Sequence, residues 1–130
     1  MRSRQKALFV ADLAMAKKAE SIVILDMRKL SNITDFFVIA TASSTTRAQA
    51  IANNIEQGLQ DKGESLSNIE GYQEARWVLV DAYDVTAHVF IGEVRDFYNL
   101  EGLWGDAPRI RLCQRKQKRK KRSKKVSKRK

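Results

Sequence analysis

The sequence is poor in the residues that build covalent or metal-held frameworks: it has one cysteine, one histidine and one proline. A lone cysteine excludes an intrachain disulfide and a cysteine zinc cluster, and it fits a reducing compartment. No apolar run approaches the roughly 18 residues that span a bilayer. Asp12 interrupts the only apolar stretch near the start, so a secretory signal is not expected either. These absences fit a cytoplasmic protein with no membrane partner. The segment "TASSTTRAQ" contains no glycine, so it meets neither the P-loop nor the dinucleotide-binding fingerprint. No Asp-x-Asp pair occurs, which removes the strand-borne carboxylate pair that metal-assisted phosphoryl chemistry uses.

Acidic residues are missing from one region altogether. Residues 109–130 carry 14 Lys or Arg and no Asp or Glu, whereas residues 1–108 carry 11 basic and 15 acidic residues, a net of −4. The overall charge of +10 therefore describes neither part. We expect one domain over residues 1–110 and a basic tail over 111–130 that is disordered when free. "RKQKRKKRSKKVSKRK" has almost nothing to bury and reads as a contact for a polyanion.

The body alternates helical and strand-like patterns. Residues 5–18 have apolar side chains at helical spacing, and "SIVILDMR" is a β-branched run of strand length. "LSNIT" is turn-like. "DFFVIATA" is continuously apolar, as in a strand covered on both faces. Ile51, Ile55 and Leu59 recur in steps of four on an amphipathic helix. Ser43, Ser44 or Thr46 could cap that helix, and Gly63 would stop it. Capping is favoured over phosphate binding for the hydroxyl residues before it. Gly58 inside the helix costs about 1 kcal/mol relative to alanine, which suggests close packing by a neighbour. "SNIEGY" reads as a short strand, and residues 92–108 read as a helix ending in Gly/Pro punctuation. The fold class expected is α/β, a single domain with a mixed β-sheet flanked by helices, in which the central helix makes a parallel crossover.

"WVLVDAYDVTAHVF" holds Asp81, Asp84 and His88. Two residues between strands is the minimum hairpin loop, but Ala82-Tyr83 matches the primed turns poorly, so a longer loop or a type I turn stays open. With Asp81 opposite Asp84, Val80 pairs with Val85 and Trp77 pairs with His88. One face then carries Val78, Val80, Val85, Ala87 and Val89, and the other carries Trp77, Leu79, Thr86, His88 and Phe90. The aspartates read as turn residues and not as a reaction centre, and His88 reads as a packed or interface residue. Downstream, Phe97 is expected to pack on the sheet. Trp77, Arg95, Tyr98 and Trp104 supply the residue types enriched at interface hot spots.

"LDMRKLSNITDFFVIATASSTTRAQAIANNI", "WVLVDAYDVTAHVF" and "RDFYNLEGLWGDA" together resemble the ribosome silencing factor, or Iojap-like, family over about residues 8–108. The resemblance implies a non-enzymatic translational repressor with no cofactor or metal. It implies binding to ribosomal protein fourteen of the large subunit, which blocks joining of the small subunit and lowers translation under nutrient limitation. It also implies a fold related to nucleotidyltransferases without a working active site. By position, Trp77, Leu79, Asp81, His88, Phe90, Arg95, Tyr98, Leu103 and Trp104 match the family signature, and a subset is expected to form the partner surface. Two positions depart from the usual pattern: Ala42 and Tyr83 stand where the family usually has glycine.

The resemblance is silent on the tail. Arg115, Lys116, Lys118, Arg119, Lys120, Lys121 and Arg122 are expected to contact ribosomal RNA phosphates, with steep salt dependence. A homodimer of the free protein through the aromatic face stays open. So do two other readings: a nucleotidyltransferase-like enzyme using Asp81, Asp84 and Ser43 or Ser44, and a generic RNA-binding protein acting through the tail.

Overall fold

A computed structural model of the chain describes residues 1–110 and Leu112. The expectations for the basic residues from Arg115 to Arg122 lie outside the described residues. Chain order is α1 (Ser3–Ala16), β1 (Glu20–Asp26), β2 (Phe36–Ala42), α2 (Thr45–Asp61), β3 (Asn68–Glu70), β4 (Trp77–Asp81), β5 (Val85–Ile91), α3 (Gly92–Tyr98), α4 (Leu100–Leu103) and β6 (Arg109–Ile110). Among the described residues the strands form one mixed sheet in the order β3-β4-β5-β2-β1-β6. β2 and β5 are parallel, and the other neighbours are antiparallel.

β2 lies inside the sheet with layers on both faces, which is why its sequence shows no polar alternation. Phe36, Val38, Ile39, Ala40 and Ala42 are all buried. On one face, α1 and α2 bring Val10, Ala14, Ile51, Ile55 and Leu59 onto Val38, Val78, Val80 and Val89. On the other face, Val94 and Ala107 close over Leu25, Met27, Ile39 and Phe90. No helix among the described residues is long and apolar enough to cross a membrane.

Local chemistry accounts for the element ends. Ser44 caps α2 by accepting a hydrogen bond from the Arg47 amide at 3.1 Å. Past the helix, Gly63 takes a positive φ of 77°. Gly58 is explained by α1: a Cβ there would sit 2.5 Å from Leu13 Cδ2.

Three features differ from the sequence reading. The hairpin register is displaced by two residues, so Trp77 pairs with Phe90, Leu79 with His88 and Val80 with Ala87. The loop is longer than two residues because Ala82-Tyr83 lacks the glycine or asparagine that a two-residue loop of primed type needs. Only Tyr83 takes positive φ, at 71°. The Ala82 amide donates to the Val85 carbonyl at 2.9 Å. A shift of two keeps every side chain on its expected face.

The helix expected over 92–108 is broken at Asn99, which adopts a left-handed conformation (φ 47°, ψ 56°). Its amide donates to Arg95 O at 2.8 Å and closes α3. Its side chain accepts from the Gly102 amide at 3.1 Å and opens α4. Asparagine tolerates this region better than most residues. Finally, β6 is an edge strand that the composition shift hides. It pairs with Ile24 and Leu25, and the Asp26 amide donates to Pro108 O at 2.7 Å. Leu112 packs into the α1/α2 core.

Candidate functional site

Trp77 begins β4 and stands on the sheet face opposite α1 and α2, supported from beneath. Phe90 lies 4.9 Å away between ring centroids, and Tyr98 of α3 lies 4.8 Å away. The indole Nε1–H donates to His88 Nδ1 at 3.1 Å. That bond places the proton of neutral His88 on Nε2. Phe37 stands edge-on to the imidazole at 4.6 Å, and Trp104 stands edge-on to Phe37 at 6.4 Å. An aromatic layer therefore runs from Tyr98 through Trp77, His88 and Phe37 to Trp104.

His88 is 5% exposed. Burial away from water pushes its pKa down to about 4, so it is neutral at physiological pH. Its Nε2 is buried with no hydrogen-bond partner among the described residues.

The structure sorts the signature residues into three depths. Phe90, His88 and Arg95 are buried. Arg95 lies beneath the surface: Nε and Nη2 grip the Glu101 carboxylate at 3.0 and 2.6 Å, and Nη1 donates to Ser21 O and Thr41 Oγ1 at 2.6 and 2.7 Å. The guanidinium holds the Glu101 carboxyl below the usual range against the opposing effect of burial. This clamp ties α3 and α4 to β1 and β2. Trp77, Leu79, Asp81 and Trp104 are half-buried, while Tyr98 and Leu103 are exposed.

Phe97 is the correction. The sequence reading packed it on the sheet, yet it is 80% exposed and stands T-shaped against Tyr98 at 5.1 Å. Seven residues give α3 one inward stripe, and Val94 and Arg95 fill it. Helical spacing alone could not show that. Between Trp77 and α3 lies a groove of about 530 Å³, with Phe97 and Tyr98 on its wall and Glu74 and Glu93 among its lining residues. The two glutamates carry no sequence signal that marks them as part of a site.

The aspartates of the hairpin loop have separate partners. Asp81 Oδ1 accepts from the Tyr83 amide at 3.0 Å. Asp84 Oδ1 pairs with Lys6 Nζ at 2.7 Å, and Lys6 also donates to Ala82 O and pairs with Glu64. Those contacts make the loop a fastening between the hairpin and α1. Among the described residues no group of three or more His, Cys, Asp or Glu side chains could hold a metal ion.

A family model described as "Ribosomal silencing factor during starvation" matches residues 1–130. A ribosomal silencing factor from Halalkalibacterium halodurans is 48% identical over 96 residues, covering 74% of this chain and 82% of the relative. Its counterpart from Bacillus subtilis is also 48% identical, covering 71% of this chain and 78% of the relative. A crystal structure of a Chromobacterium violaceum protein superposes with a TM-score of 0.79 at 33% identity, covering 81% of this chain and 88% of that one.

Proposed function

The chain belongs to the ribosomal silencing factor family, and from that membership we propose that it represses translation by docking on the large ribosomal subunit and holding the small subunit away. One observation carries this reading: an exposed aromatic patch, Phe97 and Tyr98 beside Trp77, stands on a buried footing of His88 and Phe90. Large exposed apolar side chains grouped on one face suit a partner that covers them. The partner is ribosomal protein fourteen, as the family resemblance implies. A basic ribosomal protein would complement Glu74 and Glu93 at the groove.

The mechanism is occupancy. A body of this length has a radius of gyration of roughly 13 Å, thick enough to keep two ribosomal surfaces apart. No turnover is required, and the chain acts in the cytoplasm as a regulator and not as an enzyme. The basic residues from Arg115 to Arg122 add a grip on ribosomal RNA phosphates, so affinity falls steeply as salt rises.

Sedimentation with separated subunits tests the reading. The protein should travel with large subunits, and Trp77→Ala should reduce its affinity by at least about 30-fold, the loss expected on truncating a central anchor. Undiminished co-migration of this variant would refute the assigned face. Normal subunit joining in excess wild-type protein would refute the mechanism.

A further inference from the structure

The end of the sheet far from Trp77 carries a second set of exposed side chains. Tyr83, in the loop between β4 and β5, has φ 71° and is 58% exposed. A left-handed backbone strains a bulky residue, and an exposed ring recovers little packing in return. Ile33, in the loop between β1 and β2, is 88% exposed. The two loops are bonded together. The Asp84 carbonyl accepts from the Asp35 amide at 2.8 Å and from Thr34 Oγ1 at 3.2 Å. Ser31 Oγ accepts from the Ile33 amide at 3.1 Å and fixes the turn that presents Ile33.

The start of α1 brings cations to the same end. Lys6 Nζ donates to Ala82 O at 2.8 Å, next to Tyr83, and the Lys6 amide bonds back to Arg2 O. Arg28 and, more weakly, Arg4 lower the pKa of Asp26, which puts Arg4 near the last residue of β1. The carboxylates here are engaged from within. Asp84 and Glu64 meet Lys6, Asp26 and Asp35 stand near Arg28, and Asp81 accepts from the Tyr83 amide. Arg2, Arg4 and Lys29 are exposed and form no ion pair among the described residues.

From this arrangement we infer that the end of the sheet formed by Tyr83, Ile33, Arg2, Arg4 and Lys29 binds single-stranded RNA. An unpaired base stacks on the Tyr83 ring with Ile33 beside it, and the three cations take the flanking phosphates. Free cations favour a polyanion over the basic protein proposed for the Trp77 face. A single strand, unlike a duplex, leaves the face of a base open to an aromatic ring. The site is separate from the docking face: β4 has five residues and sets the two surfaces roughly 13 Å apart along the strand. The protein would then hold a protein with one end of its sheet and an RNA loop with the other.

Fluorescence anisotropy of a labelled single-stranded RNA of about 12 nucleotides, titrated with the full chain, tests the inference. No ribosome is present, so the result does not depend on the docking reading. The basic residues after Leu112 are the same in every variant, so the comparison isolates this end. Tyr83→Gly should lower affinity by about 10-fold, the loss of one stacked base. Its melting temperature should be no lower than that of the wild type, since glycine accepts this φ without strain. Tyr83→Phe, which keeps the ring, should bind like the wild type. Changing Arg2, Arg4 and Lys29 together to glutamine should flatten the slope of log affinity against log salt by about 2, the release expected from three phosphates of a single strand. Undiminished affinity of Tyr83→Gly, or an unaltered salt slope in the triple variant, would overturn the inference. So would an equal loss by Tyr83→Gly on an RNA duplex, because no unpaired base is then being stacked. If Tyr83→Gly weakens sedimentation with large subunits while its RNA affinity is intact, the surface meets a protein and the inference fails.

Discussion

Replacing His88 with glutamine should flatten part of the protein's loss of stability in acid. His88 has a folded pKa of about 4 against an ordinary value of 6.5, because burial disfavours the imidazolium. Between those values the unfolded chain binds a proton that the folded chain refuses, so stability falls as pH drops from about 6.5 toward 4 and levels off below. The whole difference is about 3 kcal/mol at 1.4 kcal/mol per pKa step, and roughly 2 kcal/mol of it is gone by pH 4.5. Against the 5–15 kcal/mol typical of a domain, that is a large share. Glutamine does not titrate, and its amide oxygen can still accept from the Trp77 indole. Urea unfolding of both proteins between pH 7 and pH 4.5 isolates the effect. Asp26, Glu64 and Glu101, whose pKa values are lowered by Arg28, Lys6 and Arg95, also cost stability in acid, but they do so in both proteins and cancel. The wild-type curve should drop about 2 kcal/mol further than the variant's. Parallel curves would refute the claim that His88 is folded away neutral beneath Trp77.

Phe97→Ala should leave stability within about 0.5 kcal/mol, because the ring is exposed, while lowering affinity for large subunits by about 10-fold or more in sedimentation. Loss of stability without loss of binding would remove Phe97 from the docking face. Arg95→Gln should cost about 2–3 kcal/mol in urea denaturation by leaving Glu101, Thr41 Oγ1 and Ser21 O without their donor. A cost under about 0.5 kcal/mol, the range of ordinary surface changes, would show that the clamp is not structural. Gly58→Ala should destabilise by about 1 kcal/mol, because overpacking against Leu13 outweighs the gain in helix propensity. In a Leu13→Ala background the same change should stabilise by about 1 kcal/mol, and a stabilising effect in the wild type would refute the packing account.

The mixed sheet with helices on both faces was legible because its signals are local. Ile51, Ile55 and Leu59 mark the buried stripe of α2, and the unbroken run of β2 marks a strand covered twice. The sorting of the hairpin into a valine face and an aromatic face also held, since the actual slip of two residues preserves facing. Loop length was half legible: Ala82-Tyr83 fits a two-residue turn poorly, but nothing local announces the positive φ of Tyr83. The division of the signature residues into surface and footing was hidden for a related reason. Phe97 and Val94 share helical spacing, and only the break at Asn99 decides how many inward positions α3 can offer. Arg95 looked like a surface anchor by residue type. Its burial depends on Ser21 and Thr41, more than 50 positions earlier, and no local pattern announces such a contact. β6 is too short to show periodicity, and Leu112 sits among charges.

The hydrogen bond from Trp77 to His88 limits what can settle on that ring. With its one polar hydrogen already turned inward, the indole offers a visitor only a flat, electron-rich plate. A carbonyl or carboxylate laid against it would give up its own water and receive nothing in return. A guanidinium plane, an aliphatic stem or a methyl group would not suffer that loss. Discrimination at this spot therefore falls on groups that reject oxygen, and it is the buried imidazole, which no partner touches, that imposes the rule.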